Sequence, residues 1–429
     1  MHTKTMKHPE RPQTADFGSL RLHPQLLSAV HELGFDQPTP IQAATIPPAV
    51  AGKDVLGCAM TGSGKTAAFL LPILERLRER PRGRSRALIL TPTRELAAQI
   101  VAHLDELARH TRVRGAAIYG GVGMVPQERA LRRGVDVLVA TPGRLLDHLQ
   151  YDYARLDGIE VLVLDEADRM LDMGFLPAIK RVLARLPKRP RQTLLFSATM
   201  PAPMRELARE LLRDPVIIGT ERKQTPPAAI TQALYPVAAA AKPQLLVELL
   251  QRGEIGSAIV FCRTKHRADR LADKLVRQGV AVARIHGNRS QSQRTQALAG
   301  FKAGRFRVLV ATDIVARGID VDTLGHVVNF DVPAEPESYI HRIGRTARAG
   351  ASGEAFTFVA REEEEQVRAI ERALGRRIER RTIDGFDYRA RATGPDQVQS
   401  RGDRSRRPER PRRAQRPAER TRGRRWRAA

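Results

Sequence analysis

The stretch that most constrains this chain is Ala59 to Thr66, AMTGSGKT. An apolar run, Val55 to Cys58, leads into it, and a helix-like run, Ala67 to Arg80, follows. Strand, glycine-bearing turn, Lys and Thr, then helix is the layout of a phosphate cradle. Gly62 and Gly64 let the backbone turn and approach an anion with no Cβ in the way, so successive N–H groups can point at phosphate oxygens. The helix N-terminus adds partial positive charge. Lys65 would reach the β and γ phosphates, and the Thr66 hydroxyl would be a ligand for Mg²⁺. The general pattern GxxxxGK[ST] asks for Gly where this chain has Ala59.

The surrounding pattern fixes the class of fold as α/β. From Phe17 to about Thr220, apolar runs at Val55–Ala59, Ala87–Thr91, Ala116–Tyr119, Val137–Ala140, Val161–Asp165 and Thr193–Ser197 alternate with amphipathic stretches such as Glu95–Arg109 and Leu176–Leu186. Such alternation predicts a mostly parallel sheet covered by helices on both faces. Residues 221–229, ERKQTPPAA, interrupt it with charge and a Pro pair and read as a linker. A second series follows over 230–388, with strands expected at Ala258–Phe261, Ala283–His286, Val308–Ala311, Val327–Phe330 and Ala355–Val359. Its helices include Lys265–Gln278 and Gln291–Phe301, and the acidic helix Glu362–Leu374 closes it. This half has no GKT loop, so one cradle serves two similar domains and a cleft between them is the natural ligand site.

Charge points to a polyanionic partner: the 429 residues carry a formal net charge of +26. Residues 389–429 hold 15 Arg and no Lys against 4 acidic residues, and lack apolar periodicity. That composition predicts a disordered basic tail, since it cannot bury enough surface to offset its ordering entropy. Residues 1–16 are polar and read as a flexible N-terminus. Cys58 and Cys262 sit far apart in apolar runs without metal-ligand spacing, as reduced thiols of a cytosolic protein would. No run approaches the roughly 18 apolar residues of a membrane span, and a soluble, cytoplasmic protein with no membrane partner is expected.

A nucleotide-hydrolysing site also needs a carboxylate for the metal and a group that activates water. Asp165-Glu166-Ala167-Asp168 ends the apolar strand Val161–Leu164, at the strand C-terminus that faces the ligand crevice of a parallel sheet. There Asp165 can hold Mg²⁺ through water and Glu166 can polarise the attacking water. These four residues, with those below, resemble the DEAD-box ATP-dependent RNA helicases of superfamily 2, most closely the bacterial RhlE-type members. The family's cradle commonly reads AxTGxGKT, which accommodates Ala59. The resemblance implies two tandem RecA-like domains, with ATP and Mg²⁺ bound by Thr61, Gly62, Ser63, Gly64, Lys65 and Thr66. Gly34 to Gln42 resembles the adenine-reading segment, with the Gln42 amide on the base edge and Phe17 stacked on the base. Ser197-Ala198-Thr199 resembles the segment that couples hydrolysis to strand separation, with hydroxyls able to bond Asp168.

In the second half, His341 to Arg348, HRIGRTAR, resembles the family's arginine-finger segment, with Arg345 and Arg348 reaching the γ phosphate across the cleft and His341 in the coupling set. Ala347, Gly in many members, is expected to be a minor departure. Arg317-Gly318-Ile319-Asp320 also matches, with Asp320 suited to a ribose hydroxyl. RNA-backbone contacts are implied at Pro92, Thr93, Arg94, Gly120, Gly121, Thr141, Pro142, Gly143 and Arg144, and in the second domain at Arg263, Thr264, Gly287, Arg289 and Thr312. Contacts of that kind carry no base code, so binding of single strands and short duplexes is expected to be independent of sequence. The expected function is ATP-dependent, local, non-processive unwinding of short RNA duplexes or remodelling of RNA–protein complexes. An RNA annealer or clamp with a minor ATPase role is the alternative; ribosomal or RNA-decay partners are left open.

Overall fold

The computed structural model describes residues 16–59, 62–79, 83–187, 191–219, 230–313, 324–347 and 352–388. The first sheet contains β1 (Val55–Cys58), β2 (Ala87–Leu90), β3 (Gly115–Ile118), β4 (Val137–Ala140), β5 (Val161–Leu164), β6 (Gln192–Ser197) and β7 (Val216–Ile218), in the order β3-β4-β2-β5-β6-β1-β7. The second contains β8 (Ile230–Pro236), β9 (Ala258–Phe261), β10 (Val282–Ile285), β11 (Val308–Ala311), β12 (His326–Asn329), β13 (Gly353–Val359) and β14 (Glu379–Arg380), in the order β10-β11-β9-β12-β13-β8-β14. Every adjacent pair is parallel. Counted from its own first strand, the second sheet repeats the strand order of the first. These are two parallel-sheet α/β domains, the tandem RecA-like arrangement.

The continuous apolar runs have a direct cause. In β5, Val161 and Val163 join one hydrophobic cluster while Leu162 and Leu164 join the other, so both faces of the strand are buried. Around the first sheet lie α1 (Pro24–Glu32), α2 (Pro40–Val50), α3 (Lys65–Leu77), α4 (Arg94–Leu107), α5 (Met124–Arg133), α6 (Pro142–His148), α7 (Ala167–Asp172), α8 (Leu176–Leu183) and α9 (Ala202–Leu211). Around the second lie α10 (Lys242–Gln251), α11 (Lys265–Arg277), α12 (Gln291–Lys302), α13 (Pro336–Ile343) and α14 (Glu364–Leu374).

Three strands escape the sequence pattern. β7 is a three-residue edge strand with Ile217 largely exposed, and β14 is two exposed charged residues, so neither carries an apolar run. β8 lies inside the sheet, one place from its edge, but Thr231 and Gln232 break its apolar character. The expected linker 221–229 and Arg-rich tail 389–429, like the N-terminal residues 1–15, lie outside the described residues.

Candidate active site

β6 lies between β1 and β5, so the turns after these three strands sit side by side on one edge of the first sheet. The turn after β1 ends at Gly64, whose φ of +91° only glycine adopts easily; α3 then starts at Lys65. A Cβ on Gly64 would lie 2.6 Å from the Gln42 amide nitrogen. The loop is thus built for close backbone approach, the property that an anion cradle needs. Lys65 is buried, and its Nζ donates to the Ala59 carbonyl at 2.7 Å. Thr61 lies outside the described residues; Gly62 is exposed, and Ser63 and Thr66 are half-buried in the same turn.

Gln42, the expected base reader, is already engaged. Its Oε1 accepts from the Thr39 N–H at 2.9 Å and its Nε2 donates to the Gly64 carbonyl at 3.2 Å. The amide therefore ties the start of α2 to the phosphate loop, while retaining one further donor hydrogen and one further lone pair. Phe17 is only 4 % exposed and packs in the first hydrophobic cluster. That burial leaves little of the ring open to stack on a base.

Asp165 and Glu166 follow β5 and are 3 % and 4 % exposed. Glu166 holds a left-handed φ of +50°, an outlier for a residue with a Cβ and a form of strain concentrated at functional sites. Its Oε2 accepts from Arg169 at 2.7 Å, and Arg169 is itself buried. Burial alone would raise the pKa of both carboxyls. For Asp165 it wins, with Lys65 only partly offsetting it, and the value is pushed up to about 7. For Glu166 the charges of Arg169, Arg345 and Lys65 outweigh burial and bring it down to about 2. One carboxyl is thus held firmly ionised beside another that resists ionisation. Among the described residues no group of three His, Cys, Asp or Glu forms a metal cage. A hydroxyl and a carboxylate, Thr66 and Asp165, nonetheless suit Mg²⁺, which takes few protein oxygens and completes its shell with water and phosphate.

Asp168 is the hub of the adjoining turn. Its Oδ2 accepts from the Ala198 N–H at 3.1 Å, the Thr199 N–H at 2.9 Å and the Thr199 hydroxyl at 2.9 Å. The expectation for Ser197 needs correction: its hydroxyl donates to the Thr199 carbonyl at 2.6 Å and does not reach Asp168. Ser197 closes its own turn, and the backbone amides of 198 and 199 take its place. From the second domain, Arg345 is buried and near enough to depress the Glu166 pKa, with its Nε donating to the His341 carbonyl at 3.2 Å. Arg348 and Asp320, with Arg317 to Ile319, lie outside the described residues. Ala347 is more than the minor departure expected: its φ is +55°, so the methyl group sits in the left-handed region that favours glycine.

The segments expected to meet RNA all follow strand C-termini. Arg94 lies against Gly120 and Gly121, and a Cβ on Gly121 would fall 1.8 Å from its guanidinium. Thr93 caps α4 by accepting from the Leu96 N–H at 3.3 Å. Arg144 donates to the carbonyls of Tyr119 at 3.3 Å and Val122 at 2.7 Å, binding the Thr141-Pro142-Gly143 turn to the glycine pair. In the second domain Thr264 caps α11, and the Arg263 guanidinium pairs with Glu363 at 3.0 Å. Gly287 is exposed with open space beside it, Arg289 lies 3.7 Å from Asp269, and Thr312 is buried at the end of β11.

Comparison with known proteins decides the family. Residues 39–207 match the family model of the DEAD/DEAH box helicases and residues 241–350 that of the helicase conserved C-terminal domain. The chain is 44% identical over 368 residues to the DEAD-box ATP-dependent RNA helicase CshA of Bacillus subtilis, covering 86% of this chain and 74% of that one. It is 45% identical to CshA of Geobacillus kaustophilus, covering 85% and 78%. This chain belongs to the DEAD-box ATP-dependent RNA helicases. Among solved structures, S. cerevisiae Dbp5 bound to RNA and ADP BeF3 aligns with a TM-score of 0.78 at 34% identity, covering 85% of this chain and 95% of that one. Mss116p bound to ssRNA and AMP-PNP aligns at 0.79 with 29% identity, covering 88% and 81%.

In this helicase the two domains also meet through residues that motif reading passed over. Glu95, at the start of α4, accepts from the Gln291 amide at 3.0 Å and pairs with Arg294 at 2.7 Å, both on α12 of the second domain. All three are buried. Gln291 and Arg294 fall in the first turn of a helix with little amphipathic pattern, so only their burial as polar residues marks them. Arg169 was likewise unmarked, although it stands three positions after Glu166 at helical spacing.

Proposed function

We propose that this RNA-stimulated ATPase hydrolyses ATP in the space bounded by the turns after β1, β5 and β6 and by Arg345. In this reading the amides of Gly62, Ser63 and Gly64 and the Lys65 ammonium would hold the phosphates, and Thr66 and Asp165 would hold Mg²⁺, which would supply neutralisation of phosphate charge. Glu166 orients the attacking water and accepts its proton, and Arg345, with Arg348, stabilises charge on the transferring phosphoryl group, a contribution of roughly 10³ to 10⁵ in rate. Thr61, Gln42, Phe17 and Asp320 complete the nucleotide contacts. The observation that carries the proposal is the ionised, buried Glu166 flanked by Lys65 of one domain and Arg345 of the other.

Asp168, bonded to Ala198 and Thr199, would pass the state of the nucleotide to the RNA-facing turns, with Ser197 and His341 in support. The strand would lie along Pro92 to Arg94, Gly120-Gly121 and Thr141 to Arg144, continuing over Arg263-Thr264, Gly287, Arg289 and Thr312. Binding would thus require both domains, over 17–220 and 230–388. The RNA and ATP analogues in the Dbp5 and Mss116p structures support this reading, as does the net positive charge of this chain. A cytoplasmic site of action belongs to the same proposal, as does the RhlE-type subgroup, carried by the Arg-rich segment 389–429; the curated relatives reported above bear the name CshA. The test is RNA-stimulated ATPase and short-duplex unwinding by Lys65→Ala and Glu166→Gln. Turnover should collapse in both, and unchanged turnover in both defeats the assignment.

A further inference from the structure

The exposed face of α11 carries charge that nothing in the nucleotide or RNA reading uses. Arg270, Lys274 and Arg277 stand at i, i+4 and i+7, so they share one face. Arg270 and Arg277 are exposed and Lys274 half-buried, and none of the three has an ion pair or hydrogen bond among the described residues. The acidic groups on the same helix are occupied. Asp273 accepts from Arg284 of β10 at 2.6 Å, and Asp269 from Arg284 at 3.1 Å and His286 at 2.9 Å, with Arg289 at 3.7 Å. Lys265 is bonded to Asn288 at 2.9 Å, and His266 is exposed at the head of the helix. What remains is a line of three cations with no ion pair among the described residues; the neighbouring Asp273 is itself exposed, but its carboxylate is engaged by Arg284.

We propose that this stripe binds the phosphate backbone of an RNA duplex arm attached to the strand held at the sheet edge. The proposal rests on the RNA path assigned above, because α11 begins directly after Arg263 and Thr264 on that path. From Thr264 to Arg277 the helix runs about 20 Å at 1.5 Å per residue, leading away from that edge. The stripe offers no aromatic residue; the apolar group beside it is Val276. Surfaces that stack the bases of a single strand use aromatic platforms, which the stripe lacks, so it is suited to phosphate contacts alone. A duplex keeps its bases inside and offers phosphates, which is what three cations without a ring can read.

The test combines Arg270→Gln, Lys274→Gln and Arg277→Gln in the full chain and measures affinity against salt. Two probes are used, a short single-stranded RNA and the same strand joined to a duplex arm. If three phosphates are neutralised at about 0.9 per contact, the log–log salt slope for the armed probe falls by about 2.7 in the variant. Between about 50 and about 200 mM salt the wild type then loses roughly 40-fold more affinity than the variant. The short strand should bind both proteins equally, and a matched thermal midpoint shows that the variant folds. An unchanged slope on the armed probe overturns the proposal and leaves a solvated face or an acidic protein as the partner. Equal losses on both probes overturn it too, since the stripe would then serve the single strand. Arg144→Gln provides the separate control: if it leaves short-strand binding unaltered, the assigned RNA path fails, whereas the stripe is decided by its own slope.

Discussion

Truncating Arg294 to Ala would separate the energetics of domain closure from those of folding. Glu95 and Arg294 bury their charged side chains against each other at 2.7 Å, with side-chain exposures of 4 % and 8 %. Burial pulls the Arg294 pKa down, and the Glu95 charge works against that pull. Removing one partner of a buried pair costs about 3–5 kcal/mol because the other charge is left uncompensated. Here Gln291 still donates to Glu95 at 3.0 Å, so the lower end, about 3 kcal/mol, is the appropriate figure. Because the pair spans the two domains, Glu95 can regain water if they part, and the cost falls on the closed arrangement. About 3 kcal/mol corresponds to roughly a 150-fold loss in RNA-stimulated kcat/KM at 1.4 kcal/mol per decade, with little change in thermal midpoint. Glu95→Ala should behave alike, and the double variant should be no worse than either single one, since no buried charge is left alone. A fall in thermal midpoint with ATPase intact, or additive losses in the double variant, would refute the reasoning.

Other perturbations follow from the same geometry. Gly121→Ala places a methyl group at φ +81° and against the Arg94 guanidinium; RNA affinity should drop several-fold while RNA-free ATPase is retained, as filter binding and turnover would show. Ala347→Gly should raise stability by about 0.5–1 kcal/mol in denaturant melts, because the left-handed penalty of about 1–2 kcal/mol exceeds the entropy lost by introducing glycine. Thr199→Val removes a bond to Asp168, whereas Ser197→Ala removes only a turn closure; unwinding per ATP should suffer more in the former. For Asp165, a folded pKa of about 7 against 3.8 means that the folded chain binds more protons than the unfolded one between those values. Stability of the metal-free protein should therefore decline as pH rises from about 4 to about 7, by this group, and Asp165→Asn should flatten that part of the melting profile. Glu166 acts oppositely: its lowered value contributes stability that is complete above about 4.5 and is lost as pH falls toward about 2.

The sequence was legible where function is written in contiguous residues on strand ends. AMTGSGKT, DEAD, PTREL, the glycine pair and TPGR each occupy one turn, and a parallel sheet sends all such turns to one edge. Strand order was not legible, because β3 and β7 lie at opposite ends of the first sheet without any local signal that places them there. Side-chain destinations were also hidden. Ser197 and Thr199 are equivalent as hydroxyls, and only the curvature of the chain after β6 decides which one meets Asp168. The pair that joins the domains was hardest of all: Gln291 and Glu95 are 196 positions apart, and each sits on a helix that would satisfy its own polar groups in isolation. This distribution has a consequence for the phosphate loop. Lys65 donates to the Ala59 carbonyl, and Gln42 bonds to Gly64. The loop thus satisfies itself within the first domain, whereas Glu166 owes part of its ionised state to Arg345 of the second. Under the proposed assignment the binding groups are local and the hydrolytic groups shared, so hydrolysis would require Arg345 of the second domain to stand beside Glu166 of the first.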